Sequence, residues 1–290
     1  MAVIAVFTVL PHAEAKTLKS RHAVSSKATP TASNPGLKSA AVLVIDRNTG
    51  AVLFSRLAGE VAPIASITKL MTALVVLDGQ QPLDEMIEIT AVDKGRTQGN
   101  ASRLAVGTRL TRRELLHLAL MSSENRAAQA LGRSYPGGEP AFVRTMNLKA
   151  RALEMTRTRF VDPTGLSEEN VATPNDLAKL VMAASKSTLI RDFSTSAEAT
   201  VTVQRQRVEF RNTNPLVRDR NWEISVQKTG HINAAGQCLV LQAQVDGRPV
   251  VMVLLNSAGK LTRVADARRI RQWMGQHHPA PALTASVATP

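Results

Sequence analysis

PIASITKLMTALVVL, residues 63–77, has the apolar spacing of a buried helix. Apolar side chains that recur at three- and four-residue steps lie on one face of a helix. In this segment they are Leu70, Met71, Leu74 and Leu77. Asp78-Gly79 follows, and we expect Gly79 to end the helix in a left-handed conformation.

Ser66 and Lys69 lie in the first turn of this predicted helix, three residues apart, so their side chains leave it on the same side. A serine hydroxyl becomes a good nucleophile when a base lies within hydrogen-bond reach. A lysine is such a base when burial or a neighbouring cation lowers its pKa. The N-terminal end of a helix also stabilises negative charge that develops near the serine. In isolation, however, a helix-capping serine with a solvated lysine is the more frequent explanation.

The composition is that of a globular protein with a strong positive charge. The 290 residues suffice for one large or two smaller domains, and 44% of them are hydrophobic. The formal net charge of +13 suits an anionic partner such as a nucleic acid, an acidic polymer or a membrane surface. The arginines are scattered and only 3% of residues are aromatic, so we do not expect nucleic-acid binding.

The sequence offers no pattern for a metal site or for a Ser-His-Asp triad. No Cys/His cluster has metal-ligand spacing, and the six histidines include no His-Glu-x-x-His pair. A Gly-x-Ser-x-Gly elbow is also missing. The single cysteine, Cys238, is expected to pack as a small apolar residue. We therefore predict no metal.

Both ends of the chain differ in composition from the rest. A short apolar run precedes Ala13 and Ala15, which have the small-x-small spacing of a signal-peptidase site. We expect residues 1–15 to be a signal peptide, although its basic n-region is missing, and the run is too short for a membrane anchor. Residues 16–36 are predicted to be a disordered linker and residues 276–290 a flexible tail.

Strand patterns near both ends of the folded region bracket a block of helical patterns. The predicted strands are residues 40–46, 51–55, 199–210, 225–230, 237–245 and 249–255. The predicted helices are residues 111–120, 126–131 and 263–273, with two more that start at Pro140 and Thr173. This order predicts an α/β (α+β) fold whose mainly antiparallel sheet comes from residues 37–77 and 195–275. A helical subdomain, residues 78–194, is inserted, and a cleft is expected where the two meet.

Three short motifs occur in order along the chain. They are Ser66-Ile67-Thr68-Lys69, Ser123-Glu124-Asn125 on a loop between two helices, and Lys228-Thr229-Gly230 at the end of a strand. Alone, the second motif is explained by a helix cap and the third by an edge strand with a solvated lysine. Together, their order, separation and predicted context resemble the motif set of penicillin-binding proteins and serine β-lactamases.

The resemblance extends from about residue 40 to residue 273. Within it, residues 233–240 and 247–250 are most similar to D-alanyl-D-alanine endopeptidases of the penicillin-binding protein seven type. Residues 135–138 and 162–166 resemble that family too. The resemblance implies a β-lactamase/transpeptidase-like fold, with an antiparallel five-stranded sheet flanked by helices and an inserted all-helical subdomain. It also implies hydrolysis of D-alanyl amides in peptidoglycan cross-links, in the periplasm, with β-lactams as acylating inhibitors and no cofactor.

The resemblance implies a role for each motif residue. Ser66 becomes the acyl-ester, Lys69 takes its proton, and Ser123 relays a proton to the departing amine. The other implied site residues hold Lys69 and bind the substrate: Asn125, Lys228, Thr229, Gly230 and His231. Of these, Lys228 is expected to keep Lys69 neutral and, with Thr229, to bind a substrate carboxylate. The backbone N–H groups of Ser66 and His231 are the implied oxyanion hole, and the His231 side chain is expected to be exposed.

Four alternatives stay open. Class A β-lactamases need an acid before the Thr-Pro helix start, where this chain has Arg157 and Arg159, so slow deacylation of penicillin is expected. D,D-carboxypeptidases usually carry a further C-terminal domain and an amphipathic membrane helix, whereas this sequence stops soon after its closing helix. A non-catalytic wall-binding module would lose Ser66 and Lys69, and a nucleic-acid-binding protein would show a steep salt dependence of DNA binding.

Overall fold

The computed structural model describes residues 35–94, 102–259 and 261–277, which form eleven strands and seven α-helices. The strands are β1 (Ala41–Asp46), β2 (Val52–Arg56), β3 (Ala62–Pro63), β4 (Met86–Glu88), β5 (Arg109–Thr111), β6 (Val171–Ala172), β7 (Glu198–Val203), β8 (Gln206–Arg211), β9 (Glu223–Ile232), β10 (Gly236–Val245) and β11 (Arg248–Ser257). The helices are α1 (Lys69–Asp78), α2 (Arg112–Met121), α3 (Asn125–Arg133), α4 (Gly138–Ala152), α5 (Pro174–Ala184), α6 (Thr188–Thr195) and α7 (Thr262–His277).

Five strands form one antiparallel sheet in the order β2-β1-β11-β10-β9. The sheet is therefore built from both ends of the folded region, and the predicted five-stranded architecture is confirmed. Strand β1 pairs with β11 in a register that joins Ala41 to Leu255 and Asp46 to Val250. Because successive strand residues point to opposite faces, the apolar residues of β1, β10 and β11 supply two separate cores. One core contains residues of α1 to α6, and the other lies under α7.

Helix α1 is the centre of the larger core. Every residue from Lys69 to Val76 is buried, so the segment predicted to be a buried helix is covered on all sides. The predicted cap is wrong in detail, because Gly79 is right-handed, with φ −70°, and the positive φ of 50° occurs at Gln80. A helix of this kind holds its side chains firmly because neighbouring helices contact all of its faces.

The two capped helix starts that the sequence predicts, at Thr111 and Thr173, are present. Thr111 and Glu114 form the capping box of α2, and Thr173 caps α5 by accepting a hydrogen bond from the amide of Asp176. Helix α6 was not predicted. Its cap, Ser187, accepts a hydrogen bond from the amide of Ile190, which is buried. Residues 199–210, predicted as one strand, belong instead to two strands, β7 and β8, which pair only with each other among the described residues.

Several predictions concern the chain ends and the subdomains. The signal peptide, nearly all of the linker and residues 278–290 of the tail lie outside the described residues. The tail was predicted to start at residue 276, whereas α7 continues to His277. The division into two subdomains stays a prediction, and helix α5, within the range 78–194, contacts strands β1, β10 and β11.

Two glycines allow other segments to approach the backbone around Ser66. A Cβ atom at Gly165 would overlap the carbonyl group of Ala65, and Gly165 also has a positive φ of 81°. A Cβ atom at Gly230, on β9, would lie 2.9 Å from the carbonyl oxygen of Ile64 and 3.2 Å from the amide nitrogen of Ser66. Both segments therefore contact the turn that carries Ser66 through backbone atoms, which only glycine permits.

We expect Gly165→Ala to destabilise the protein by at least about 2 kcal/mol, because the added methyl group clashes with a backbone that cannot move freely. Gly247→Ala is the matched control, since Gly247 has a similar φ of 76° and no neighbouring atom within 4 Å. The left-handed conformation alone should cost this control about 1 kcal/mol. Urea unfolding of both variants measures the difference, and equal losses would contradict the clash.

Candidate active site

Ser66 and Lys69 lie together at the start of α1. Ser66 belongs to a single 3₁₀ turn, Ala65–Thr68, that leads directly into the helix. The ammonium nitrogen Nζ of Lys69 lies 2.8 Å from Ser66 Oγ, and the Lys69 side chain is completely buried. The spacing of Ser-x-x-Lys thus places a nucleophile and an amine within hydrogen-bond reach, as predicted.

Lys69 Nζ has two further hydrogen-bond acceptors. They are Asn125 Oδ1 at 2.8 Å and the carbonyl oxygen of Thr164 at 2.6 Å. Burial lowers the pKa of Lys69 to about 7, although the carboxylates of Asp162 and Glu124 act in the opposite direction. Of the two causes that the sequence suggested, burial is the main one, and Lys228 is not among the groups that shift the pKa of Lys69. A substantial fraction of Lys69 is therefore neutral near pH 7 and able to accept a proton.

The second motif lies between α2 and α3. Ser123 has a positive φ of 62°, an uncommon conformation for a residue with a side chain. Glu124 is the N-cap of α3 and accepts a hydrogen bond from the amide of Arg126. The predicted loop is thus shorter by one residue at each end, because Met121 is the last residue of α2 and Asn125 is the first residue of α3. This turn directs Asn125 to Lys69 and Ser123 to Lys228.

The third motif lies on β9, the edge strand next to the Ser66 turn. Lys228 is completely buried, and its Nζ donates hydrogen bonds to Ser123 Oγ at 2.8 Å and to the carbonyl of Thr229 at 2.8 Å. Burial first, and then the charges of Lys69 and Arg263, lower the pKa of Lys228 well below its usual range. The solvated lysine of an ordinary edge strand is therefore excluded.

Three more residues of β9 occupy the same region. Thr229 Oγ1 lies 2.6 Å from Thr213 Oγ1, and Gly230 approaches the backbone of Ser66. His231 is exposed, as expected, and its Nδ1 lies 3.2 Å from the carbonyl oxygen of Gly236. All three line one cavity with Ser66, Ser123 and Asn125. The described structure thus brings together the eight residues named from the sequence, while their roles in substrate binding stay predictions.

This cavity has a volume of about 840 Å³ and also contains residues that the sequence did not single out. They include Ser102, Thr213, Arg218, Leu261 and Arg263. The guanidinium of Arg263 donates hydrogen bonds to the carbonyls of Gly230 and Cys238 at 2.6 and 3.0 Å. Nothing in a single sequence marks these residues, because each reaches the cavity only through the packing of distant segments.

The loop that contacts Lys69 was likewise missed as part of the site. Asp162 accepts hydrogen bonds from the amides of Thr164, Gly165 and Ser167. These bonds fold the loop so that the carbonyl of Thr164 points at Lys69. The signal in the sequence was Asp162-Pro163-Thr164-Gly165, a turn pattern, which predicts a tight loop but not the element that it contacts.

Comparison with known proteins identifies the family. The family model of peptidase S11, described as D-alanyl-D-alanine carboxypeptidase, matches residues 28–259. This chain belongs to that family. It is therefore a serine hydrolase, and the resemblance found in the three motifs is confirmed.

Members of the family that are similar to this chain include curated endopeptidases. A D-alanyl-D-alanine endopeptidase of Pseudomonas aeruginosa is 48% identical over 87% of this chain and 83% of its own length. One of Escherichia coli is 46% identical over 89% of this chain and 85% of its own length. The crystal structure of the Streptomyces K15 DD-transpeptidase superposes with a TM-score of 0.77 at 28% identity, covering 84% of this chain and 99% of that one. The predicted β-lactamase/transpeptidase-like fold is confirmed.

The carboxylates near Ser66 form hydrogen bonds or ion pairs with other residues. Glu124 lines the cavity, but its Oε1 accepts hydrogen bonds from Ser102 Oγ at 2.5 Å and from the amide of Arg126. Glu169 is exposed and pairs with Arg159. Within the described residues, no other carboxylate lines the cavity that contains Ser66. This arrangement provides no free acid to activate a water molecule, in contrast to class A β-lactamases.

Neither a metal site nor a membrane-spanning helix occurs in the described part of the chain. No group of three or more His, Cys, Asp or Glu side chains has the arrangement of a metal site there. None of the described helices has both the length and the apolar character needed to cross a bilayer.

The pKa of Lys69, about 7, predicts the pH dependence of acylation. A lysine accepts a proton only when neutral, so the rate of Ser66 acylation by penicillin should rise about tenfold per pH unit below pH 7 and level off above it. Intact-mass kinetics between pH 5.5 and 8.5 measure this profile.

Lys69→Arg is the companion variant, because a guanidinium stays protonated throughout that range. Its acylation rate should lie on the order of 10²- to 10⁴-fold below the wild-type plateau and should not rise with pH across this range. A wild-type rate that does not change between pH 6 and 8 would contradict the assignment of Lys69 as the base.

Proposed function

We propose that this protein is a serine D-alanyl-D-alanine endopeptidase that hydrolyses D-alanyl cross-link amides of peptidoglycan through an acyl-enzyme on Ser66. The observation that carries the proposal is the contact between Ser66 Oγ, in the wall of an open cavity, and the buried amine of Lys69, whose pKa is lowered to about 7. The two relatives at 46% and 48% identity are named as endopeptidases, which supports this choice within the family.

In the acylation step, Ser66 Oγ attacks the carbonyl carbon of the D-alanyl residue while its proton passes to Lys69 Nζ, 2.8 Å away. The oxyanion that forms lies at the amide nitrogens of Ser66 and His231. Ser123 then donates its proton to the departing amine and recovers one from Lys228 Nζ, which lies 2.8 Å from Ser123 Oγ. The carbon–nitrogen bond breaks and an ester to Ser66 remains.

Substrate binding uses the residues around this centre. Asn125 orients Lys69 through its Oδ1 and leaves its amide NH₂ group to hydrogen-bond the peptide backbone of the substrate. The hydroxyl of Thr229 and the cation of Lys228 bind the carboxylate next to the scissile amide. Gly230 keeps this part of β9 close enough to Ser66 for one substrate to contact both.

Deacylation reverses the sequence with water in place of the amine. Water attacks the ester carbonyl, its proton passes to a basic group of the site, and the serine oxygen is released as the leaving group. No free carboxylate of the described residues lines the cavity for this task. Acylation leaves Lys228 short of one proton, so the water proton passes through Ser123 to Lys228. Lys69 returns its proton to Ser66 Oγ. A β-lactam leaves its opened ring attached to Ser66 and blocks the approach of water, and the penicilloyl-enzyme is therefore long-lived.

The location that fits this activity is the periplasm, where the peptidoglycan substrate lies. The apolar run followed by Ala13-x-Ala15 supports export, and the net charge of +13 suits a polymer with free carboxylates.

D,D-carboxypeptidase activity is the second candidate. The description of the matching family model names it, and relatives at 29% and 30% identity are named D-alanyl-D-alanine carboxypeptidases. Both reactions share the acylation of Ser66 and differ only in the group that leaves.

An intact-mass time course with penicillin tests the acyl-enzyme. The wild type should gain one penicillin mass that persists for many minutes, and Ser66→Ala should gain none. Ser122→Ala is the matched control, because Ser122 lines the same cavity but its hydroxyl hydrogen-bonds the carbonyl of Leu118 at 2.8 Å. This control should be acylated like the wild type.

Purified cross-linked muropeptides and a D-alanyl-D-alanine pentapeptide then separate the two candidates. Faster cleavage of the cross-linked dimer supports the endopeptidase, and release of D-alanine alone would show a carboxypeptidase. An adduct that clears within seconds would instead indicate a β-lactamase, and no adduct on folded wild type would contradict the proposal.

A further inference from the structure

Arg218 lies in the wall of the cavity that contains Ser66, and its cation has no acidic partner within residues 35–94, 102–259 and 261–277. Its Nη1 donates one hydrogen bond, to the carbonyl of Asn212 at 3.3 Å. A guanidinium has five N–H donors in a planar fork, so most of this group is available to a ligand. An arginine on an ordinary surface is merely solvated, whereas this one is exposed at a site where a substrate must lie.

The backbone beneath Arg218 is firmly anchored. Arg218 ends the 3₁₀ helix Pro215–Arg218, whose cap Asn214 accepts a hydrogen bond from the amide of Leu216. Leu216 is completely buried in the core beneath α7. Asn212 is held in turn, because its Nδ2 donates to the carbonyls of Ser194 and Ser196. The backbone that carries the guanidinium is thus fixed before a ligand binds, which reduces the conformational entropy lost on binding.

The position of Arg218 along the chain places it on the side of the scissile amide where the leaving group binds. Arg218 follows Thr213 on the segment that joins β8 to β9, and the hydroxyl of Thr213 lies 2.6 Å from that of Thr229. Under the proposed function, Thr229 binds the carboxylate on the leaving side of the scissile amide. The same segment therefore lines the path of the leaving peptide.

The charges of the cavity wall favour an anion on this side. Its formal cations are Arg218 and Arg263, and Glu124, its carboxylate, is engaged with Ser102 and the amide of Arg126. Arg263 is mostly buried and its Nη1 is occupied by two backbone carbonyls, so Arg218 is the more accessible of the two cations. Leu261, 67% exposed, adds an apolar contact to the same wall. A ligand with a carboxylate and an aliphatic portion matches this surface.

We propose that Arg218 is a specificity-determining residue that binds a second carboxylate, one carried by the leaving peptide beyond the carboxylate next to the scissile amide. This inference rests on the proposed function and deepens it. A leaving D-alanine has no second carboxylate, whereas the leaving strand of a cross-linked peptide has room for one. Arg218 therefore favours cleavage of cross-links with an acidic leaving strand over removal of a terminal D-alanine.

Two synthetic cross-linked dimers with identical acyl strands test the assignment. Both keep the carboxylate next to the scissile amide, and the leaving strand carries one further group, a carboxylate in one dimer and the matching carboxamide in the other. We expect the wild type to prefer the carboxylate dimer by about tenfold in kcat/KM, mainly through KM, since one charge-assisted contact is gained. A D-alanyl-D-alanine peptide and penicillin, which have no second carboxylate on the leaving side, measure the acylation of Ser66 without this contact.

Arg218→Gln should abolish this preference and leave the other two substrates within about twofold of wild type. Arg218→Lys should retain part of the preference, because the charge stays while the planar fork is lost. Arg220→Gln is the matched control, an exposed arginine two residues further on that does not line the cavity, and it should behave like the wild type.

Two results would overturn the inference while the proposed function stands. In the first, the preference for the carboxylate dimer persists in Arg218→Gln, with penicillin acylation intact. In the second, Arg218→Gln slows all substrates and penicillin equally, which indicates a structural role. Failure of the wild type to form a penicillin adduct or to cleave any of the peptides would remove the proposed function itself and this inference with it.

Discussion

The structure depends on one energetically unfavourable feature, the complete burial of the amine of Lys69. An isolated buried cation is expensive, so the pKa of Lys69 falls to about 7, and three acceptors surround its nitrogen. Ser66 comes from the turn before α1, Asn125 from the start of α3 and the Thr164 carbonyl from a distant loop. The base exists only when these three segments are packed together, and the chemistry is therefore a property of the folded state.

Lys228, on the edge strand of the sheet, is a second buried lysine whose amine contacts a serine. It is equally buried on β9, and its bond to Ser123 joins the edge of the sheet to the turn between α2 and α3. Burial lowers the pKa of both lysines, and the charge of Lys69 lowers that of Lys228 further. The amines of Lys69 and Lys228, both with lowered pKa values, thus lie next to Ser66 and Ser123. Each amine can accept or donate a proton during the reaction.

Close backbone contacts hold this arrangement in place. Gly165 and Gly230 bring a loop and a strand against the turn at Ala65 and Ser66, where no side chain fits. Ala65 and Ser123 adopt positive φ values of 47° and 62°, conformations that cost free energy in residues with side chains and persist where the surroundings enforce them. The larger core around α1 provides that constraint, because Ala65 is buried in it together with the helices and the sheet.

The sequence by itself determined the local features: the buried helix, the capping box at Thr111, the β10–β11 hairpin and the three motifs that identify the family. Each depends on residues close together in the chain, where periodicity and turn chemistry act. Only the tertiary structure decided that Gln80 and not Gly79 takes the positive φ, that residues 188–195 form α6, and that burial sets the pKa of Lys69. It also decided that Arg218, Arg263 and Thr164 belong to the site, because long-range packing brings them there and desolvation depends on every segment that excludes water.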